Sequence, residues 1–146
     1  MSVTPPNDTP VETQIRVRYA ETDQMGVVYY ANFFVWFEIG RVEYLRARGL
    51  AYRDLEKDDG CYIPVVDAHC RYKSPARYDD LIAIRTWVTR RRGSLLDFAY
   101  EIARTADGEL LATGETTHVI VDRNFQPRDL PENYRLGAAA ADRASR

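Results

Sequence analysis

The segment Ala31–Phe37, ANFFVWF, restricts the fold of this chain more than any other. From about Tyr30 to Arg48 the spacing predicts a helix, with Arg46 and Arg48 in its last turn and Gly49 as its stop. Its first half is apolar nearly all round. Its second half is polar, with Val42 and Leu45 kept apolar. A helix that is apolar on every side is a buried one. A curved sheet covers much of one side of such a helix, and a second subunit or a ligand must hide the rest. Glu38, set among the apolar residues, is expected to be buried and paired, with Arg41 three residues on as a candidate partner.

The remaining segments supply the sheet. In Glu12–Ala20, Ile15, Val17 and Tyr19 alternate with Gln14, Arg16 and Arg18, the period of a half-buried strand. After the helix, and a short helix over about Tyr52–Lys57, come four strand-like runs: Tyr62–Tyr72, Leu81–Arg91, Leu95–Arg104 and Leu110–Asp122. Pro75, Gly93 and Asp107-Gly108 separate them, and Asp-Gly between alternating runs signals a hairpin. An antiparallel meander is the simplest reading. The expected fold is α+β, with about five antiparallel strands wrapped around one long central helix.

A chain of 146 residues is expected to form one domain, here over 12–136, with a flexible Pro-rich lead over 1–11 and an Ala-rich flexible tail over 137–146. A net charge of −2 excludes a nucleic-acid binder built on bulk positive charge. The longest near-apolar run, Val27–Phe37, is too short to span a bilayer, and the lead lacks the pattern of a signal peptide. Cys61 and Cys70 lie nine residues apart in what reads as one strand, beyond disulfide reach. They are expected to be free thiols in a reducing cytoplasm, and no Cys/His spacing points to a metal.

The stretch RVRYAETDQMGVVYYANFFVWFEIGRVEYL, over 16–45, resembles the signature of the hotdog-fold acyl-CoA thioesterases, the 4-hydroxybenzoyl-CoA thioesterase-like group. The likeness continues through AHCRYKSPARYDDLIAI and RRRGSLLDFAYEI and covers about 13–130. It implies hydrolysis of an acyl- or aroyl-CoA with no metal or bound cofactor, by a homo-oligomer, either a dimer or a tetramer made of two dimers. Two further readings belong to the same fold: a hydratase or dehydratase acting on an acyl thioester, and a binding protein that does not turn its ligand over.

Thioester hydrolysis needs a carboxylate that activates water or attacks the carbonyl, and donors for the oxyanion that develops. A helix start supplies such donors, because its first N–H groups lack intrahelical partners. The resemblance gives the carboxylate role to Asp23 and the donor role to the backbone N–H of Tyr30, seven residues on. Many relatives carry histidine at the place of Tyr30. A tyrosine, with a pKa near 10, is a poor base at neutral pH, which leaves this position its backbone role. Gly26 allows the loop between them to turn tightly. Gly26, Val28 and Tyr29 are expected against the substrate. So are Arg90, Arg91, Arg92 and Ser94, where arginines suit the phosphates of CoA. Glu21 reads as a solvated loop residue. His69 and His118 read as strand histidines, Cys61 and Cys70 as packing residues, and Phe33, Phe34, Trp36 and Phe37 as core.

Overall fold

The computed structural model describes residues 8–130, 136 and 137. Five strands form one antiparallel sheet: β1 (Val11–Arg16), β2 (Val65–Tyr72), β3 (Leu81–Arg92), β4 (Leu95–Arg104) and β5 (Leu110–Val119). Helix α1 (Asn32–Ala47) lies on the sheet, and α2 (Tyr52–Asp59) follows it. Among the described residues no helix is long and apolar enough to cross a membrane.

The strand order is β1-β3-β4-β5-β2. The meander expected from sequence therefore holds only for β3, β4 and β5. The two edges of β3 are taken by β1 and β4, so β2 crosses to the free edge of β5 and pairs there, with Cys70 opposite Gly114 and Tyr72 opposite Ala112. The outer edge of β2 has no partner strand among the described residues, and most of its residues are exposed.

Helix α1 buries Phe33, Trp36, Phe37, Gly40, Arg41, Tyr44 and Leu45. This is the three-four spacing of a single helical face. Trp36, Phe37, Tyr44 and Leu45 join Ile82, Ile84, Leu96, Phe98, Tyr100, Ile102 and Leu111 in the core. Phe37 stacks on Tyr100 with ring centroids 4.4 Å apart. Gly40 lets the helix settle onto β3. A Cβ there would run into Thr86 Oγ1 and stand 2.9 Å from Ile84 Cγ2.

Within one chain the sheet covers only one side of this helix, as its pattern implied: Val35 remains 46% exposed and, with Ile39 and Val42, lines an open groove of about 260 Å³. One expectation about the helix is corrected. Glu38 is exposed on that same groove rather than buried, and it is Arg41 that enters the core. Helical phase explains the exchange, since position 41 follows Phe37 by one turn and position 38 does not share that face.

Asp8 is the first described residue of the lead. Its buried carboxylate accepts the Tyr44 hydroxyl at 2.5 Å, the Val88 N–H at 2.9 Å and Arg48 Nη2 at 3.1 Å. The strand β3 bulges just past Val88, where its pairing register with β4 slips. Residues 1–7 and 138–146, most of the expected lead and tail, lie outside the described residues.

Candidate active site

The loop between the 3-10 turn Tyr19–Glu21 and α1 is closed on itself. Thr22 and Val28 form an isolated antiparallel bridge, and Asp23 N–H donates to the Val27 carbonyl at 2.9 Å. Gly26 N–H returns to the Asp23 carbonyl at 3.0 Å, with Gly26 at a φ of 79°, a conformation that costs other residues strain. Asp23 Oδ1 accepts the Met25 N–H at 2.9 Å, the local turn that aspartate side chains favour. Its second oxygen has no hydrogen-bond partner among the described residues. The loop is tied to the segment before β3 by Val28 N–H donating to the Ala76 carbonyl at 2.8 Å.

Helix α1 begins two residues later than its apolar pattern suggests, at Asn32. Residues 29–31 lead in as a tight turn. Asn32, Phe33 and Phe34 each donate three residues back, to the carbonyls of Tyr29, Tyr30 and Ala31, at 2.9, 3.2 and 3.1 Å. Such tightening is common where a helix start lacks i−4 acceptors. The Tyr29 N–H is used, by the Glu21 carbonyl at 2.9 Å. The Tyr30 N–H donates to no described residue. The Tyr30 carbonyl also accepts the hydroxyl of Tyr72, at the end of β2, at 2.9 Å.

Asp23 and Tyr30 line one cleft of about 340 Å³. Met25, Val27, Val28, Phe33 and Tyr72 give it apolar walls, and Lys73, Ser74, Pro75 and Ala76 close its far side. Tyr72 meets Phe33 and Tyr30 edge to face, with centroids 5.2 and 6.3 Å apart. Of the residues expected here, Asp23, Val28 and Tyr30 line the cleft. Gly26 shapes the loop without lining it, and Tyr29 packs on the Tyr30 ring from outside, 4.8 Å centroid to centroid. The wall from Tyr72 to Ala76 had no signal in sequence, because nothing local says that the end of β2 returns to the start of α1.

The arginines lie elsewhere. The cleft adjoins the segment that enters β3 at Leu81, whereas Arg90, Arg91, Arg92 and Ser94 sit at the β3–β4 turn. Eleven residue steps of strand separate Leu81 from Arg92, roughly 35 Å. Arg90 Nε pairs with Asp97 at 2.8 Å, and Arg92 is exposed. Within one chain these residues and the cleft are not brought together.

Glu21 is not solvated: it is 6% exposed. Its carboxylate accepts the Trp36 indole N–H at 2.9 Å and the Arg18 N–H at 2.8 Å. Neither histidine lines the cleft. His69 is exposed near Glu115. His118 is fully buried between the Ile63 carbonyl, 3.1 Å from Nδ1, and the Thr116 hydroxyl, 2.8 Å from Nε2. Burial, reinforced by the Arg41 charge, pushes its pKa down to about 4. Cys61 and Cys70 are free, and burial raises the pKa of both thiols, away from thiolate character.

A model of the thioesterase-like superfamily matches residues 17–135. A putative acyl-CoA thioesterase of Bacillus subtilis, YneP, is 42% identical over 115 residues, spanning 78% of this chain and 82% of the relative. The acyl-CoA thioester hydrolase YbgC of Escherichia coli is 34% identical over 128 residues, 87% of this chain and 94% of the relative. Among solved structures, a DHNA-CoA thioesterase from Staphylococcus aureus superimposes with a TM-score of 0.79 at 37% identity, covering 83% of this chain and 80% of that one. The five-stranded antiparallel sheet, the long helix packed on it and these matches agree: the chain belongs to the thioesterase-like superfamily and has the hotdog fold.

Proposed function

We propose that this protein hydrolyses the thioester of an acyl- or aroyl-CoA to the free acid and CoA, with Asp23 and the Tyr30 backbone N–H as its two working groups. One observation carries the reading. Asp23, with one carboxylate oxygen unpaired, and Tyr30, with its amide unused among the described residues, line the same apolar-walled cleft at a helix start. A thioester carbonyl lodged there takes the Tyr30 N–H as its oxyanion donor, aided by the positive end of α1. Asp23 then either draws a proton from a water that adds to the acyl carbon, that proton passing to the departing sulfur, or attacks the acyl carbon itself, expelling CoA. The second route forms a mixed anhydride that water hydrolyses to the free acid, the same water supplying the thiol proton. The hydratase reading has no histidine at the cleft to carry it.

The phosphates of CoA are assigned to the arginines of a second copy. The free edge of β2 pairs with the same edge of a partner, antiparallel as two-fold symmetry requires. Pairing centred on His69 sets Asp67 directly across from the partner's Arg71, an opposite-charge pair. It also brings the Tyr72 end of β2, where the cleft lies, beside the partner's Val65 end. Val65 lies opposite His118, Val119 opposite Leu95, and Leu95 opposite Arg92, so the β3–β4 turn sits at that same end of the sheet. At a strand spacing of about 4.8 Å the partner's Arg90–Ser94 turn then stands roughly 15–20 Å across from the cleft. An extended pantetheine arm covers a span of that order. The working unit is a homodimer, or a tetramer of two such dimers, placed in the cytoplasm with its thiols reduced and needing no metal or bound cofactor.

The test is release of free CoA thiol from a panel of acyl- and aroyl-CoA esters by wild type and Asp23→Asn. Loss of a general base lowers kcat by about a hundredfold or more. Equal rates in the two proteins, or no release from any ester, reject the proposal.

A further inference from the structure

Glu21 occupies a place that hydrolysis alone does not require. Its carboxylate is shut away from solvent and does not line the cleft, yet the residue accepts four hydrogen bonds. Oε2 accepts the indole N–H of Trp36 at 2.9 Å, and Trp36 is fully buried in the core. Oε1 accepts the Arg18 N–H at 2.8 Å. The backbone carbonyl of Glu21 accepts the Tyr29 N–H at 2.9 Å and Asn32 Nδ2 at 2.8 Å. One residue is thus fixed to the core by its side chain and holds both the helix entry and the closing end of the loop by its main chain. Asp23 is two residues after this anchor, and Tyr30 follows the amide that it holds.

We infer that Glu21 is the positioning residue of the site: bolted to Trp36, it sets the Asp23 carboxylate and the Tyr30 amide at a fixed separation. This rests on the thioesterase reading for its consequence in rate, though not for its consequence in structure. Replacing the carboxylate by an amide is close to isosteric, but the new NH2 group must face one of two fixed donors, the Trp36 indole or the Arg18 amide. Either way two donors are opposed, the buried Trp36 indole or the part-buried Arg18 amide loses its acceptor, and the side chain at position 21 shifts to relieve it. A displacement of about 1 Å between reacting groups costs on the order of a hundredfold in rate.

The experiment compares wild type, Glu21→Gln, Trp36→Phe and the double variant. Steady-state rates are taken well below each melting temperature, alongside amide exchange. Glu21→Gln is expected to lower kcat ten- to a hundredfold with KM within about threefold, since it disturbs alignment rather than substrate contact. Trp36→Phe deletes the opposing indole N–H while keeping Glu21. It should lower kcat by itself, and in the double variant part of the Gln defect should be recovered, giving less than the product of the two single effects. A Glu21→Gln protein with normal kcat and only a lowered melting temperature overturns the inference, and leaves Glu21 a cap on the 3-10 turn. If Glu21→Gln does not fold, Trp36→Phe with unchanged kcat overturns it equally. If wild type cleaves no thioester, the thioesterase reading fails and exchange decides alone. The amides of Asp23, Gly26 and Tyr29 should exchange at least tenfold faster in Glu21→Gln, while those of Ile84 and Phe98 in the sheet hold. Unchanged protection at the loop rejects the inference.

Discussion

His118 sits at one end of a line of buried hydrogen bonds in which every proton has its direction set. The Ile63 carbonyl can only accept, so Nδ1 of the neutral ring carries the proton and Nε2 accepts from Thr116. The Thr116 hydroxyl therefore receives from Tyr100, at 2.6 Å, and the Tyr100 hydroxyl receives from Arg41 Nη1 at 3.2 Å. Protonating Nε2 puts a second donor against Thr116, which already receives the Tyr100 hydroxyl proton, and Arg41 beyond Tyr100 can only donate. Burial, with the Arg41 charge behind it, accordingly pushes the imidazole down to about 4 from its ordinary value of about 6.5. The folded-state value lies below the unfolded one. Neutral His118 thus contributes its full share of stability above pH 6.5, and that share is lost as pH falls toward 4. A difference of about 2.5 units at 1.36 kcal/mol per unit is roughly 3 kcal/mol, a large part of a typical domain's stability. The measurement is urea unfolding followed by circular dichroism at pH 7, 6, 5 and 4, for wild type and His118→Gln. The glutamine variant starts less stable at pH 7. Between pH 7 and pH 4 wild type should lose about 3 kcal/mol more than the variant does. Equal losses in the two proteins refute the reasoning, because the acid sensitivity would then reside in other groups.

Tyr30→Phe keeps the backbone amide and should retain thioesterase activity within about threefold of wild type; a collapse of kcat with the fold intact would return the role to the side chain. Gly40→Ala gains about 1 kcal/mol of helix propensity but drives a methyl group into Thr86 and Ile84. Its net effect should be a loss of about 2 kcal/mol by chemical denaturation, and a stabilised variant would show that α1 does not rest on β3 as closely as described. Arg92→Ala should raise KM for CoA esters by about tenfold at low salt while leaving kcat nearly unchanged, and an unaltered KM would remove the β3–β4 turn from CoA binding.

Local patterns made much of this legible in the sequence. The two-residue period marked strands and the helix announced itself by its apolar spacing and its Gly49 stop, whereas Asp23 and Tyr30, which line one cleft, were singled out by the family resemblance. Three things were hidden, each because it is decided at a distance. The position of β2 depends on which sheet edge is left after β1 and β4 have taken both sides of β3. The reversal of Glu38 and Arg41 depends on the phase of the helix against the sheet, which composition does not carry. The burial of Glu21 depends on Trp36, fifteen residues on and in another element, presenting its indole N–H there. Tyr72 belongs to the same class: its hydroxyl reaches Tyr30 across forty-two residues of chain.

The open edge of β2 also bears on how the protein behaves when scarce. Val65 and Val66 are exposed, and the backbone beside them offers a row of donors and acceptors to any strand that arrives. In the proposed dimer the Asp67–Arg71 register would favour a mate of the same sequence, a preference that operates only when another copy is near. If the proposed dimer is the working unit, dilution costs the protein twice, parting each cleft from the partner's arginines and leaving each edge open to foreign strands. Specific activity should fall with concentration, and the same solutions should be the first to form aggregates on warming.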